Sequence, residues 1–310
     1  MQHLGCNWDN LATTVREVAA RLEGNLSVRV ADPLVEGAWG WRAEERCPSA
    51  SVIKILIAWE AYRQAEAGML GLDESARVPP DGVVGGTGVL HLLSPGVSLA
   101  WRDLVALMLA VSDNTATNLL IDRLGFDAIN ATARALGLAQ TVLQRKMMDF
   151  GARAAGRDNF MSATDAARLL GLLARGAQGA PNGAPRDRRG EGTAAARAAA
   201  DRRGEGTAAA RAAGNRQISA ASCRELLAVL EKQQFNHKLP SLLPGVRCAH
   251  KTGELPGLEH DAGVVYLADG RPLVVAVFTW DLKRNSDGVR AIAEVARAAY
   301  EACTAPTCCG

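Results

Sequence analysis

The sequence carries almost no excess charge of either sign: 35 Lys and Arg face 33 Asp and Glu over 310 residues, a formal net charge of +2. A surface so balanced gives no electrostatic footprint for nucleic acid or an anionic membrane, and neither is expected as a partner. Long hydrophobic runs are absent too; none approaches the roughly 20 apolar residues of a membrane span. The opening Met1-Gln2-His3-Leu4-Gly5-Cys6-Asn7 lacks the basic and then apolar pattern of a secretory leader. The expected compartment is therefore cytoplasmic by default, and secreted or periplasmic if a leader is missing. Cysteines are few and scattered, at positions 6, 47, 223, 248, 303, 308 and 309. An odd count with no Cys-x-x-Cys argues against a complete disulfide framework, and Cys303, Cys308 and Cys309 have no nearby His to complete a zinc set. No metal and no cofactor are expected, and residues 303–310 read as a frayed tail with free thiols.

What is present is the balance of an ordinary folded protein, 48% hydrophobic and 22% charged. Asn7 or Asp9 can cap a helix running to about Leu22, with Leu11, Val15 and Val18 on one face. Leu26–Val30 alternates as a strand does, and a second strand is expected near Gly37–Arg42. From Val52 to Leu70 the pattern is helical and apolar nearly all round, the mark of a buried helix. Further helices are expected at Trp101–Val111, Ala116–Leu124, Phe126–Leu136 and Ala163–Ala174, with a last one over Gly288–Ala302. Ala262–Leu267 and Leu273–Phe278 flank Ala268-Asp269-Gly270-Arg271, a hairpin signature. Strands at both ends and helices between them imply an α+β fold: an antiparallel sheet built from both termini, flanked by helices, with an all-helical region inserted. The expected organisation is a single catalytic domain over 1–302. Its sheet region covers about 1–56 and 219–302, and its helical region about 57–218.

One internal repeat is clear. Asp187–Ala199 recurs without change as Asp201–Ala213, a period of 14 residues, each copy with three Arg, one Asp, one Glu and no large apolar side chain. Nothing in it can form a core, so an insertion over about 178–215 is expected to be solvated and disordered, and deleting Asp187–Gly214 to leave folding and activity nearly unchanged.

Three short motifs follow in order: Ser51-Val52-Ile53-Lys54 at the start of the buried helix, Ser112-Asp113-Asn114 between helices, and Lys251-Thr252-Gly253 before the last strands. Three positions nearly close a helical turn, so Ser51 and Lys54 share a face and can hydrogen-bond. Burial, with Lys251 as a second cation, would lower the Lys54 pKa and make it a base for Ser51. Ser112 can relay a proton to a leaving nitrogen, and Asn114 can hold a substrate carbonyl and Lys54. Lys251 and Thr252 suit a substrate carboxylate. Gly253 lets the edge strand approach substrate, and the N–H groups of Ser51 and Glu254 can form an oxyanion hole. Taken singly, the motifs have duller readings as a helix cap, a turn and a strand entrance; it is their conjunction and order that points to chemistry. Trp59 and Trp101 read as core, His250 as a strand side chain, and His260-Asp261 as packing near the sheet.

With these motifs, and with the stretches Ser112–Leu120 and His250–Glu254, the chain resembles the serine β-lactamase and penicillin-binding superfamily, closest to class A β-lactamases. The resemblance extends from about Asn7 to Ala302, outside the repeat. It implies Ser51, Lys54, Ser112 and Lys251 as catalytic and Asn114, Thr252, Gly253 and Glu254 as substrate-binding. It also implies a small β-lactam or related amide or ester as substrate, and a monomer. One departure stands out. Class A enzymes carry a loop R-x-E-x-x-x-N whose Glu and Asn hold the deacylating water; here Arg145-Lys146-Met147-Met148-Asp149-Phe150-Gly151 puts Met147 and Gly151 at those positions. Arg145 and Asp158 can still tie the loop's ends, and Asp149 is the nearest carboxylate, with a structural role expected. Three readings follow: a β-lactamase with slow deacylation, a penicillin-inhibited peptidase or esterase, and a sensor or sink that stays acylated.

Overall fold

Both ends of the chain enter one sheet. A computed structural model describes residues 6–35, 37–179 and 217–304; the repeat lies outside the described residues. The N-terminal elements are α1 (Trp8–Arg21), β1 (Asn25–Ala31), β2 (Ala38–Trp41) and β3 (Cys47–Pro48). A 3₁₀ turn, Ala50–Ile53, then leads into α2 (Lys54–Glu66). The middle of the chain holds β4 (Ser75–Arg77), β5 (Ser98–Ala100), α3 (Trp101–Ala110), α4 (Asn114–Leu124), α5 (Phe126–Ala135) and α6 (Phe150–Ala154). β6 (Phe160–Met161), α7 (Ala163–Ala177), α8 (Ala220–Leu230), β7 (Cys248–Leu255), β8 (Leu258–Tyr266), β9 (Pro272–Trp280) and α9 (Asn285–Thr304) complete it.

The main sheet runs β2-β1-β9-β8-β7 with every pairing antiparallel. This is the α+β arrangement that the sequence implies. Both faces of the central strands are covered, and the two-residue period sorts the side chains. Leu273, Val275 and Val277 of β9 join the core under α1 and α9, whereas Val274, Ala276 and Phe278 join the one under α2, α7 and α8. The edge strand β7 carries the Lys-Thr-Gly motif, and α2 lies in the second core with Ile55, Leu56, Ile57 and Trp59 all buried. Its one buried acid, Glu60, is satisfied by Arg63, Gln64 and Thr132. Trp59 is core as expected; Trp101 is half-buried against it.

Two expectations need correction, and one helix lay outside them. Ser51 lies in the 3₁₀ turn rather than on the α-helix, which begins only at Lys54. α8 was not anticipated, although Ser219 caps it by accepting from the Ser222 N–H. Cys303 belongs to no frayed tail: it sits in the last turn of α9, buried, and is disulfide-bonded to Cys6 beside α1. The cause is the packing of α1 on α9, which also lets the Asn7 N–H donate to the Ala302 carbonyl (2.8 Å). Cys47, Cys223 and Cys248 are buried free thiols; Cys308 and Cys309 lie outside the described residues. No helix among the described residues is long and apolar enough to cross a membrane.

Candidate active site

The three motifs meet where the 3₁₀ turn, the start of α4 and the edge strand β7 converge. Ala50 has φ +43°, a left-handed conformation for a residue with a Cβ, and the turn it starts presents Ser51 to a cavity of about 160 Å³. Lys54, one turn on, is fully buried and spends its three N–H donors on the Ser112 carbonyl (2.8 Å), Ser112 Oγ (3.0 Å) and Asn114 Oδ1 (2.9 Å). The expected bond between Ser51 and Lys54 is therefore not formed, and among the described residues the Ser51 hydroxyl has no hydrogen-bond partner. Burial drives the Lys54 pKa well below its ordinary value; the nearby Lys251 pushes the same way and Asp113 opposes. Lys251 is also fully buried and donates to the Thr252 carbonyl (2.9 Å). Burial pushes its pKa down to about 7, with Asp261 opposing and Lys238 adding to the fall.

Ser112 also has a positive φ, +55°, which turns the chain from α3 into α4. Asp113 fixes that turn twice. It caps α4 by accepting from the Ala116 N–H (2.9 Å), and its other oxygen accepts from the N–H groups of Val89 (2.6 Å) and Leu90 (2.9 Å). The approach requires Gly88, where φ is +118° and any Cβ would overlap the Asp113 carboxylate. Across the cavity, Gly253 serves the purpose expected of it. A Cβ there would press on Ala50 Cβ (3.1 Å) and Val52 Cγ2 (3.2 Å), so glycine lets β7 close against the turn that carries Ser51.

The loop on the remaining side is firmly built. Arg145 pairs with Asp158 (2.7 Å), the tie expected between the loop's ends. Asn159 accepts from the N–H groups of Gln144 (2.8 Å) and Arg145 (3.1 Å), and its own carbonyl accepts from the Ser49 N–H (2.9 Å). Asn118 clamps Met147 by its backbone: the Met147 N–H donates to Asn118 Oδ1 (2.7 Å), and Asn118 Nδ2 donates to the Met147 carbonyl (3.1 Å). Asp149 is occupied as the cap of α6, accepting from the Ala152 N–H (2.8 Å).

Comparison with known proteins agrees with this geometry. A family model described as the β-lactamase enzyme family matches residues 10–186 and 203–303. The chain belongs to the β-lactamase enzyme family. Among solved structures it is similar to a β-lactamase from Sphaerobacter thermophilus, at 31% identity and a TM-score of 0.77, covering 96% of this chain and 97% of that one. An ancestral class A β-lactamase of Gram-negative bacteria (24% identity, TM-score 0.74, 94% and 99% covered) and PBP-A (24%, 0.75, 94% and 95%) share the fold. No curated protein matches the chain. Membership places it in the serine β-lactamase and penicillin-binding superfamily and carries a serine β-lactamase-like function.

Met147, Met148, Phe150 and Leu255 supply an apolar wall beside Ser51, and among the described lining residues Glu254 is the one carboxylate. Sequence reasoning missed Thr87, whose hydroxyl donates to the Ser112 carbonyl (2.8 Å), and the cavity-lining Gly86. The run Gly85-Gly86-Thr87-Gly88 was the available signal, since clustered glycines mark close backbone approach. His250 is a β7 side chain as read, but not an idle one. Its Nδ1 lies 3.0 Å from both Asp261 oxygens and its Nε2 3.0 Å from Asn236 Oδ1. Although burial pushes the Asp261 pKa up, His250 and Lys238 hold it below the ordinary carboxylate range.

Proposed function

We propose that the chain is a serine hydrolase acylated at Ser51 by β-lactam amides, and that the acyl-enzyme then hydrolyses slowly. Lys54 is the base in this reading. Burial beside a second cation depresses its pKa and favours the neutral amine, which gives up one of its three hydrogen bonds and takes the Ser51 proton as Oγ attacks the lactam carbonyl. The oxyanion lies against the N–H groups of Ser51 and Glu254. Ser112 Oγ, 3.0 Å from Lys54 Nζ, passes the proton to the departing ring nitrogen as the C–N bond breaks, while Lys251 and Thr252 receive the substrate carboxylate. Asn114, with Oδ1 on Lys54 and Nδ2 donating to the Gly85 carbonyl (3.1 Å), keeps the lysine aimed.

One observation supports the slow second step: Met147, the residue at the Glu position of the R-x-E-x-x-x-N pattern, is buried and lines the same cavity as Ser51. Gly151 offers no amide to hold a water, and Asp149 is committed to its cap. Glu254 does not substitute, being 63% exposed and turned toward Lys238. β-Lactam is the substrate class that the relatives favour; one solved structure of this fold, a mutant of PBP-A at 23% identity, is an acyl-enzyme complex with penicillin G. Intact-mass spectrometry after mixing with penicillin G tests the reading. A single adduct that persists on the parent and is absent from Ser51→Ala is the expected result, and equal adduct on both proteins would end it.

A further inference from the structure

Behind the edge strand, on the loop between α8 and β7, lies a buried lysine that the chemistry above does not use. Lys238 is 1% exposed. Its ammonium donates to the carbonyl of Gly253 (3.1 Å) and forms an ion pair with Glu259 of β8, itself buried. The more exposed Glu254 carboxylate stands 3.9 Å away. Each member is anchored a second time. The Leu239 N–H next to the lysine donates to Asp261 Oδ2 (3.0 Å), and Asn285 Nδ2 at the start of α9 donates to Glu259 Oε1 (2.8 Å). Asn285 also holds the β7–β8 turn, accepting from the Gly257 N–H (2.9 Å) and donating to the Leu255 carbonyl (2.9 Å). Burying an ion pair is costly unless every remaining bond is made, and replacing it with apolar side chains is often neutral or stabilising. Stability therefore gives a weak account of it.

Its target gives a better one. The Gly253 carbonyl and the Glu254 N–H belong to the same peptide unit, which is planar and trans, so they point in opposite directions. An ammonium fixed on the carbonyl fixes the direction of the N–H on the other side of the strand. A charge-assisted bond to the carbonyl also polarises the unit and makes its N–H a stronger donor. We propose that Lys238, braced by Glu259 and Asn285, is a positioning residue that orients and strengthens the Glu254 N–H as an oxyanion donor. The inference rests on the acyl-enzyme reading, because only a carbonyl bonded to Ser51 would use that donor.

The infrared carbonyl stretch of the penicillin G acyl-enzyme reports oxyanion-hole donation directly. The double variant Lys238→Met/Glu259→Gln removes the ammonium without stranding a buried carboxylate. Its acyl carbonyl should absorb at higher wavenumber than the parent's. Acylation should slow about tenfold, part of the 10²–10³ that a whole oxyanion donor contributes. Noncovalent affinity should stay within about twofold, since the interaction forms only as charge develops. Should that variant fail to fold, Glu259→Gln alone loosens the lysine and should shift the band the same way by less. A folded, acylated variant with the parent's band and the parent's acylation rate overturns the inference, as does an unshifted band in Glu259→Gln where the double variant is unfolded. A parent that gives no acyl band at all overturns the acyl-enzyme reading, and this inference with it.

Discussion

The two walls of the Ser51 cavity are built with equal care and equipped very differently. On one, Lys54 and Ser112 stand behind the lining residue Asn114 as a dense polar set, with Lys54 Nζ bonded to three named oxygens. On the other, the 145–158 loop is tied by Arg145–Asp158 and clamped by Asn118, yet presents Met147 and Met148 to the cavity. In the proposed reading the loop has its scaffold without a water-activating group. Acylation needs a base at Ser51, whereas deacylation needs a second base to activate water. One half-reaction can therefore be kept and the other weakened while the fold stays the same.

The comparison breaks most directly at Lys54. Lys54→Met should slow acylation by about 10²–10⁴-fold, the usual worth of a positioned general base, as followed by stopped-flow with a chromogenic cephalosporin. If acylation is unaffected, the polar wall is not the base. The opposite wall is sharpened by Met147→Glu with Gly151→Asn, which supplies both a base and an amide. Deacylation should rise, by as much as about 10²-fold if the water is well placed, and Met147→Glu alone should give less. By contrast, Asp149→Asn should leave turnover unchanged, which steady-state rates would show.

A pH series separates the walls further. Lys251 loses its proton above about 7, so the apparent affinity for a carboxylated substrate should weaken as pH rises through that value. The loss should approach tenfold per unit, and the methyl ester of the same substrate should show little of it. Lys54 has the opposite sign: it must be neutral to act, so acylation should fall as pH is lowered and the amine gains its proton. The smallest expected effect on activity comes from the far side of the sheet. Cys6→Ser/Cys303→Ser should lower stability by about 2–5 kcal/mol in denaturant titrations and leave acylation rates within error.

Much of this was legible in the residues. The nearly all-round apolar pattern of α2 announced a buried helix, and the alternation in β1 a strand. Three motifs in the right order marked the polar side of the site. Other features depended on tertiary geometry. The 3₁₀ turn at Ser51 hangs on the left-handed Ala50, and alanine is not a residue type that signals it. The Cys6–Cys303 bond joins residues 297 apart, a pairing that only the docking of α1 on α9 explains. α6 lies in a stretch that reads as loop because its five residues are too few to show a helical period. Lys238 carried no signal at all, since a single lysine in a loop is ordinarily solvated.

The central claim is that acylation outruns deacylation because Met147 replaces the base of the second step. Rapid mixing of the parent protein with excess chromogenic cephalosporin measures both steps in one trace. The account predicts a burst equal to the enzyme concentration followed by a much slower steady state, with the slow phase accelerated in Met147→Glu/Gly151→Asn. A linear trace with no burst, at a rate comparable to that of acylation, would contradict it.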